Sequence, residues 1–509
     1  MKLMLGAALA AATIVAPAAA ADKEAGKPAS NFLRCDGRTG HVGAGESVLR
    51  LLLVTATAGL SEAGMSTDDA AKRDRGAAGV AACGAAIQSE GDNFRRAQLG
   101  LAQAMHYAED KNWQAAADGA RHVPALLNAA TPDWALERTA ATSAATIEAW
   151  ALLHEGKTAE AEEVAAKAVV RAGSDVLALN RALPYLRLTP TMTEPKRRAF
   201  QALQRFAPQN AASVAHGYAD AGDYASARAS LEAVFALQTA MYKKGPSNAE
   251  NGAFLATYWA LGGDSATARQ TLDKAKLAFA AERSDGRLEG GRLAEVDEAL
   301  SFADIAIDTA NGQLGPARQK INARSTWANM PQGVVADLLG RLQSGAKAGE
   351  LTGFAATIPD SLWADKRAAL MRILDEKAYA DRLWRAQIEM AVDKHYAPMA
   401  AQALSGSTPK PKWLMKPSKD IDVPFEIITT SGRYFGSMVN EPMMLHAAYI
   451  ARQRGKKGFA LFPTRKSLDM FGVKFVNPGE QGISDLNIVD ASALIAQLEP
   501  HIYVRTDKQ

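Results

Sequence analysis

The stretch from Ser213 to Leu237 constrains the fold of this chain more than any other. Apolar and small residues recur there at helical spacing on both sides of the short turn Gly222-Asp223-Tyr224. That spacing places the apolar residues on one face of each helix, so the stretch predicts two amphipathic helices folded back on each other. One such hairpin cannot bury its own apolar face, and neighbouring hairpins must therefore stack on it.

Related turns occur at four other places in the chain, and each has an alanine at the same offset into the helix that follows. A small residue at that offset allows the two helices of a hairpin to come close. We therefore expect a series of helical hairpins, and helical structure from Glu46 to about Ala401. The four related turns are Lys111-Asn112-Trp113, Gly156-Lys157-Thr158, Gly263-Asp264-Ser265 and Gly312-Gln313-Leu314.

These turns and alanines resemble the tetratricopeptide repeat family, with Gly222 and Gly263 opening the best copies. The resemblance covers residues 95–325 and implies an α-solenoid over residues 95–404, whose concave side holds proteins or peptides. The turns at 111, 156, 222, 263 and 312 are unevenly spaced and further apart than the ~34 residues of that family. The predicted solenoid is therefore irregular, and a compact helical domain is the alternative.

The resemblance also places contact residues on the inner face of the first helices. Trp150, His216 and Thr257 take these positions, among residues that are mostly small or apolar. Packing in the core is the alternative role for Trp150. The Lys, Asn and Arg clamp of some family members is missing there, which argues against partners with charged peptide tails.

The N-terminus predicts export. Lys2 precedes an apolar run from Leu3 to Val15, and Ala18-x-Ala20 supplies the small residues of a cleavage site. Residues 1–21 are thus interpreted as a signal peptide, and we expect a periplasmic or secreted protein. Residues 22–94 are predicted to form an N-terminal helical segment. Within it, Cys35 and Cys83 are expected to form a disulfide in the oxidising compartment, and buried free thiols are the alternative.

The composition limits the class of protein. The chain has 509 residues, 48% hydrophobic and 22% charged, with a net charge of +3. It is long enough for two or more domains, and the balanced charge argues against a dedicated nucleic-acid binder. After the signal peptide no apolar run approaches the ~18 residues of a transmembrane helix.

The composition changes after residue 404. Residues 405–424 are rich in Pro and Lys and are interpreted as a linker or extended strap. Residues 425–509 predict a small α/β domain built on a right-handed βαβ unit. Its expected strands are Phe425–Ser431, Gly458–Phe462, Val473–Val476 and Ile502–Val504, and its expected helices are Glu441–Arg454, begun by Asn440 and Pro442, and Ala491–Leu498.

No motif in the sequence indicates an activity. There is no His-Glu-x-x-His, Cys-x-x-Cys or Gly-x-Ser-x-Gly, so no metal site, cofactor or catalytic set is predicted. The sequence favours an exported non-enzymatic scaffold or adaptor for a protein or peptide partner in the cell envelope. The alternative is an envelope hydrolase or small-ligand-binding protein, with an anion site at Arg433 and Arg465 beyond the strand ends of the α/β domain.

Overall fold

The protein is mainly helical, with a small β-sheet near the C-terminus. The computed structural model describes residues 30–38, 73–127, 134–241, 248–347, 349–376, 414–417, 426–429, 437–463, 470–480 and 482–502. None of the helices in these ranges is long and apolar enough to cross a bilayer. The predicted signal peptide, residues 1–21, lies outside them.

The described α-helices that precede the sheet lie between residues 31 and 375. In chain order they are α1 (Asn31–Asp36), α2 (Gly76–Ser89), α3 (Asn93–Glu109), α4 (Trp113–Leu126), α5 (Trp134–His154), α6 (Thr158–Ala172), α7 (Val176–Ala182), α8 (Glu194–Phe206), α9 (Ala211–Asp220), α10 (Tyr224–Met241), α11 (Asn248–Leu261), α12 (Ser265–Ser284), α13 (Gly290–Ala310), α14 (Leu314–Ile321), α15 (Gln332–Gln343) and α16 (Pro359–Asp375).

All five predicted turns connect two helices, and they share one backbone geometry. The first residue of each turn has a positive φ, including Gly222 at 74° and the non-glycine Lys111 at 58°. The next amide donates to a carbonyl in the last turn of the preceding helix, as Asp223 N does to Tyr218 O at 3.0 Å. Such a left-handed residue ends a helix and satisfies its last carbonyls, which explains the glycines. The predicted hairpins are therefore confirmed.

The alanine that follows each turn lies at the contact between the two helices. All five side chains are fully buried, so a larger residue there would push the helices apart. Within each hairpin, and between α11 and α13, the helices pack directly on each other. The five alanines are Ala116, Ala161, Ala227, Ala268 and Ala317.

The hairpin formed by α15 and α16 adds distant contacts to this sequential packing. Helix α15 packs on α13 and α14, and it also reaches back to α9, while α16 reaches back to α5. The approach is close at Gly333, where an added Cβ would lie 2.7 Å from the Cα of Asp220. At the C-terminal end of α16, Asp375 Oδ1 lies 2.9 Å from Nε2 of His154, the last residue of α5. Helices distant in sequence are thus joined.

The predicted disulfide between Cys35 and Cys83 is confirmed, with 4.6 Å between the two Cα atoms. It joins α1 to α2, and both cysteines are fully buried. A disulfide is compatible with an oxidising compartment outside the cytoplasm.

The described part of the C-terminal region contains five strands and two α-helices. The strands form one sheet in the order β1-β2-β4-β3-β5, and every neighbouring pair is antiparallel. Helix α17 precedes β3, and α18 follows β5. The elements are β1 (Leu414–Pro417), β2 (Glu426–Thr429), α17 (Ser437–Gln453), β3 (Gly458–Pro463), β4 (Met470–Val476), β5 (Ile488–Asp490) and α18 (Ala491–Ile502).

This sheet corrects the predicted arrangement of strands. Strands β2 and β3 run in the same direction on either side of α17, but β4 lies antiparallel between them, so they are not neighbours. Alternating apolar residues do not distinguish parallel from antiparallel pairing, which depends on the distant strand. Strand β1 lies within residues 405–424, which the sequence predicted to be a linker. Its Pro417 is tolerated because β1 is an edge strand of the sheet.

Two boundaries also differ from the prediction. Helix α17 begins at Ser437, so Asn440 and Pro442 lie inside it rather than starting it. The predicted last strand begins at Ile502, which is the final residue of α18, and residues 503–504 lie outside the described ranges. Strand β5 has three residues, which is too short for a periodic pattern to reveal.

The C-terminal region packs on the helices through both polar and apolar contacts. Glu441 on α17 forms a buried ion pair with Arg138 on α5, at 2.6 Å. The Asn487 side chain donates to Ala233 O at 3.0 Å. Leu237 on α10 joins an apolar cluster with residues of the sheet and its connections: Ala460, Phe462, Val476, Ile483 and Ile488.

Candidate functional site

A surface groove of about 620 Å³ lies where α12, α13 and α14 meet. Helix α13 packs on both of the other helices, and it contributes the residues along the middle of the groove. Lys276 and Phe279 come from α12, while Lys320 on α14 and the residues just after α14 complete the lining. The site is thus built from two successive hairpins.

The floor of the groove is apolar. Leu300 and Ile305 of α13 are buried there, and Phe279 is half-buried beside them. Trp327 completes the floor, and its orientation is held because its indole N–H donates to Ile321 O at 3.2 Å and its ring packs edge-on against Phe302. A rigid apolar floor can accept an apolar side chain without reorganising.

The rim of the groove is charged. Arg324 pairs with Asp297 at 2.6 Å on one side. Asp304 accepts from Arg269 at 2.7 Å and from Lys320, whose ammonium also lies 2.7 Å from Asp308. Lys276 is the most loosely held cation, at 4.0 Å from Asp304, and its side chain is 48% exposed.

The cations of the rim keep its central carboxylate ionised. Burial alone would raise the pKa of Asp304, but hydrogen bonds from Lys320 and Arg269 hold that pKa below its usual value. The Lys320 pKa is raised, because its hydrogen bonds to Asp304 and Asp308 outweigh its partial burial. Asp304 and Lys320 therefore form an ion pair at neutral pH.

Trp150, one of the residues predicted to contact a partner, lies in the helical core. It is only 4% exposed, and its ring packs edge-on against Trp113, with 5.4 Å between the centroids. Trp113 in turn stacks on His154. The Trp150 side chain is therefore a packing element of the first hairpins.

His216 and Thr257 lie on the neighbouring helices α9 and α11, and the structure brings them into one region. His216 Nδ1 lies 2.6 Å from the hydroxyl of Tyr258, and burial lowers the pKa of His216 to about 3. Thr257 is fully buried and donates to Ala253 O at 3.0 Å. Arg433 and Arg465 lie outside the described residues.

Helices α15 and α16 pack against this region through a buried ionic cluster centred on Asp220. The Asp220 carboxylate accepts from Arg187 at 2.7 Å, from Lys366 of α16 at 2.8 Å and from the backbone amide of Gly333 at 2.8 Å. Burial would raise the pKa of Asp220, but the two cations lower it to about 2. This face of α9 is thus occupied by the chain itself.

The chemistry of these groups favours binding over catalysis at the groove. Its ionisable side chains are engaged with each other, and the apolar floor contains no nucleophile beyond Ser301, whose hydroxyl donates to Asp297 O at 2.8 Å. Across the described ranges, no group of His, Cys, Asp and Glu is arranged to hold a metal ion. The arrangement can hold a ligand that has both apolar and charged parts.

No protein-family model, no curated protein and no solved structure matches this chain. The hairpins and the groove are consequently the features from which a function is inferred.

The groove was not predicted from the sequence, although one part of it left a signal. Asp297, Ser301, Asp304 and Asp308 recur at helical spacing and form a polar stripe along α13. The floor gave no such signal, since Phe279, Leu300 and Trp327 come from three different segments that only stacking brings together.

Proposed function

We propose that this protein is an exported, non-enzymatic scaffold with tetratricopeptide-like hairpins that holds a protein or peptide partner in the cell envelope. The observation that carries the proposal is the groove between α12, α13 and α14, with its apolar floor and charged rim. Protein-binding surfaces commonly combine a buried apolar centre with a polar edge.

Two further features support the proposal. The shared geometry of the five turns agrees with a family whose stacked hairpins present binding surfaces. The signal-peptide pattern of residues 1–21 and the Cys35–Cys83 disulfide both suit a protein of the periplasm or exterior. The alternative ligand site at Arg433 and Arg465 has no supporting observation in the described part of the chain.

Site-specific photocrosslinking in envelope extract tests this function. A photoreactive residue replacing Lys276 stands at the rim of the groove, and one replacing Lys274 stands on the same helix outside it. We expect a discrete crosslinked product from position 276 and none from position 274.

A second substitution shows whether the groove itself is responsible. Ser301→Trp fills the groove from α13, whereas Ser301→Ala leaves it open. The product from position 276 should disappear in the first variant and persist in the second. Equal crosslinking from positions 276 and 274, or a product that survives Ser301→Trp, would rule out the groove as the binding site.

A further inference from the structure

The groove has more hydrogen-bond donors than acceptors. Four cationic side chains, Arg269, Lys276, Lys320 and Arg324, meet three carboxylates around it. A guanidinium carries five N–H donors and an ammonium three, so these contacts leave donor capacity unused. A ligand rich in acceptors would complement this rim.

The cations of the rim come from more than one segment. Lys276 stands on α12, Lys320 on α14, and Arg324 follows α14. Lys276 is the cation most available to a ligand, because its side chain is 48% exposed and its ion-pair contact with Asp304 is as long as 4.0 Å. Arg324 is 31% exposed and adds a planar group that can bind a carboxylate with two hydrogen bonds.

We propose that the groove binds an acidic peptide segment, with an apolar side chain on the floor and flanking carboxylates paired to Lys276 and Arg324. This inference rests on the proposed function and adds the chemistry of the partner. A basic segment is disfavoured, since Asp304 already accepts from two cations and has a third beside it. Asp297, 55% exposed and paired with Arg324, is the other carboxylate that lines the groove.

The experiment compares three synthetic peptides of equal length with the mature full-length protein by fluorescence anisotropy. Each has a central Trp, flanked by Glu in the first peptide, by Ser in the second and by Lys in the third. We expect the Glu peptide to bind roughly tenfold more tightly than the Ser peptide and the Lys peptide to bind most weakly. The preference should decrease as salt is raised.

A matched pair of variants locates the effect. Lys276→Glu reverses a charge on the rim, and Lys274→Glu makes the same change two residues away, on an exposed part of α12 outside the groove. We expect Lys276→Glu to lower the affinity for the Glu peptide on the order of fivefold. Lys274→Glu should leave that affinity unchanged. Both side chains are exposed, so thermal unfolding should confirm that both variants fold.

The outcomes separate this inference from the proposed function. Equal binding of the Glu and Ser peptides, tighter binding of the Lys peptide, or no binding of any peptide overturns the acidic-segment proposal. Equal losses in the two charge variants overturn it as well. The crosslink at position 276 and its loss in Ser301→Trp decide independently whether the groove holds a partner of another chemistry.

Discussion

Two buried carboxylates, Asp220 and Glu441, each join parts of the chain that are far apart in sequence, but their surroundings differ in charge balance. Asp220 on α9 meets two cations, Arg187 and Lys366. Glu441 on α17 pairs with Arg138, and this cluster also includes a second buried carboxylate, Asp175, on which Arg138 and Arg181 both act. The first cluster therefore has a surplus of cations, whereas in the second two carboxylates share two cations.

This difference appears in the pKa values of the two clusters. Burial works against ionisation of Asp220, yet Arg187 and Lys366 lower its pKa to about 2. The pKa of Lys366 falls to about 8, because burial outweighs its attraction to Asp220. For Asp175 burial raises the pKa and Glu441 raises it further, against the opposing effect of Arg138. Both clusters join distant parts of the fold, but only in the second does one carboxylate raise the pKa of another.

Amide substitutions that keep the shape of each carboxylate test this comparison most strongly. Asp220→Asn leaves two buried cations without a counter-charge and should lower the free energy of unfolding by about 3–5 kcal/mol. Glu441→Gln should cost about 1–3 kcal/mol, since Asp175 can ionise and partly replace the lost charge beside Arg138. Urea denaturation measures both losses.

Equal losses of unfolding free energy in Asp220→Asn and Glu441→Gln would contradict the comparison. They would mean that Asp175 does not compensate for the charge removed from Glu441. The double variant Glu441→Gln with Asp175→Asn removes that compensation. Its loss should exceed the sum of the two single losses.

The close approach of α15 to α9 makes a second test of the Asp220 cluster. Gly333→Ala places a methyl group 2.7 Å from the Asp220 backbone and from the Trp363 ring. We expect a loss of about 1–3 kcal/mol in the free energy of unfolding, because the helices must move apart. Gly340→Ala is the matched control on the same helix, where no atom lies within 4 Å of the added methyl.

The control should be neutral or should stabilise the protein by about 0.5–1 kcal/mol, as alanine favours a helix over glycine. If Gly333→Ala behaves like its control, then α15 does not pack on Asp220 as described.

The smallest expected effect is a difference between the two clusters in how their contribution to the free energy of unfolding depends on pH. The raised pKa of Asp175 means that the folded protein holds a proton that the unfolded chain releases above its usual pKa of 3.8. Stability from Asp175 is thus lost as the pH rises from 3.8 through the folded pKa. Stability from Asp220, whose pKa is lowered, is lost as the pH falls from 3.8 towards about 2.

Asp175→Asn isolates the first of these contributions. Above pH 3.8 the free energy of unfolding should decline less with pH in the variant than in the native protein, by at most about 1.4 kcal/mol per pH unit. Chemical denaturation over a pH series measures this slope. The charged groups that act on Asp175 are Arg138, Glu441 and Arg181, and the variant retains all of them. Parallel pH profiles would show that Asp175 does not hold a proton in the folded state.

The local parts of the fold were predictable from the sequence, and the distant contacts were not. A positive φ at Gly222 and a buried Ala227 are requirements of a single hairpin, so both can be read from a short stretch. The pairing of Asp220 with Lys366 leaves no such pattern, because the two residues belong to different hairpins that the chain brings together. The order of the sheet strands depends on distant pairing in the same way.

The candidate site shows the same division. The polar stripe of α13 could be found from helical spacing, whereas its role depends on the apolar side chains that α12 and the segment after α14 add. His216 and Thr257, predicted from the family resemblance to contact a partner, lie on α9 and α11. Their surroundings, with Thr257 fully buried and His216 hydrogen-bonded to Tyr258, could not be inferred from one hairpin at a time.

The return of α15 and α16 to earlier helices has a consequence for the order of folding. In an open array, each repeat can form and melt with its immediate neighbours alone. Here the ionic cluster of Asp220 on α9 is complete only when Lys366 joins Arg187, and Arg138 on α5 pairs with Glu441 only when α17 packs nearby. Such long-range closures slow folding and favour cooperative loss of structure. Helices α5 and α9 therefore reach full stability only after α16 and α17 have packed on them.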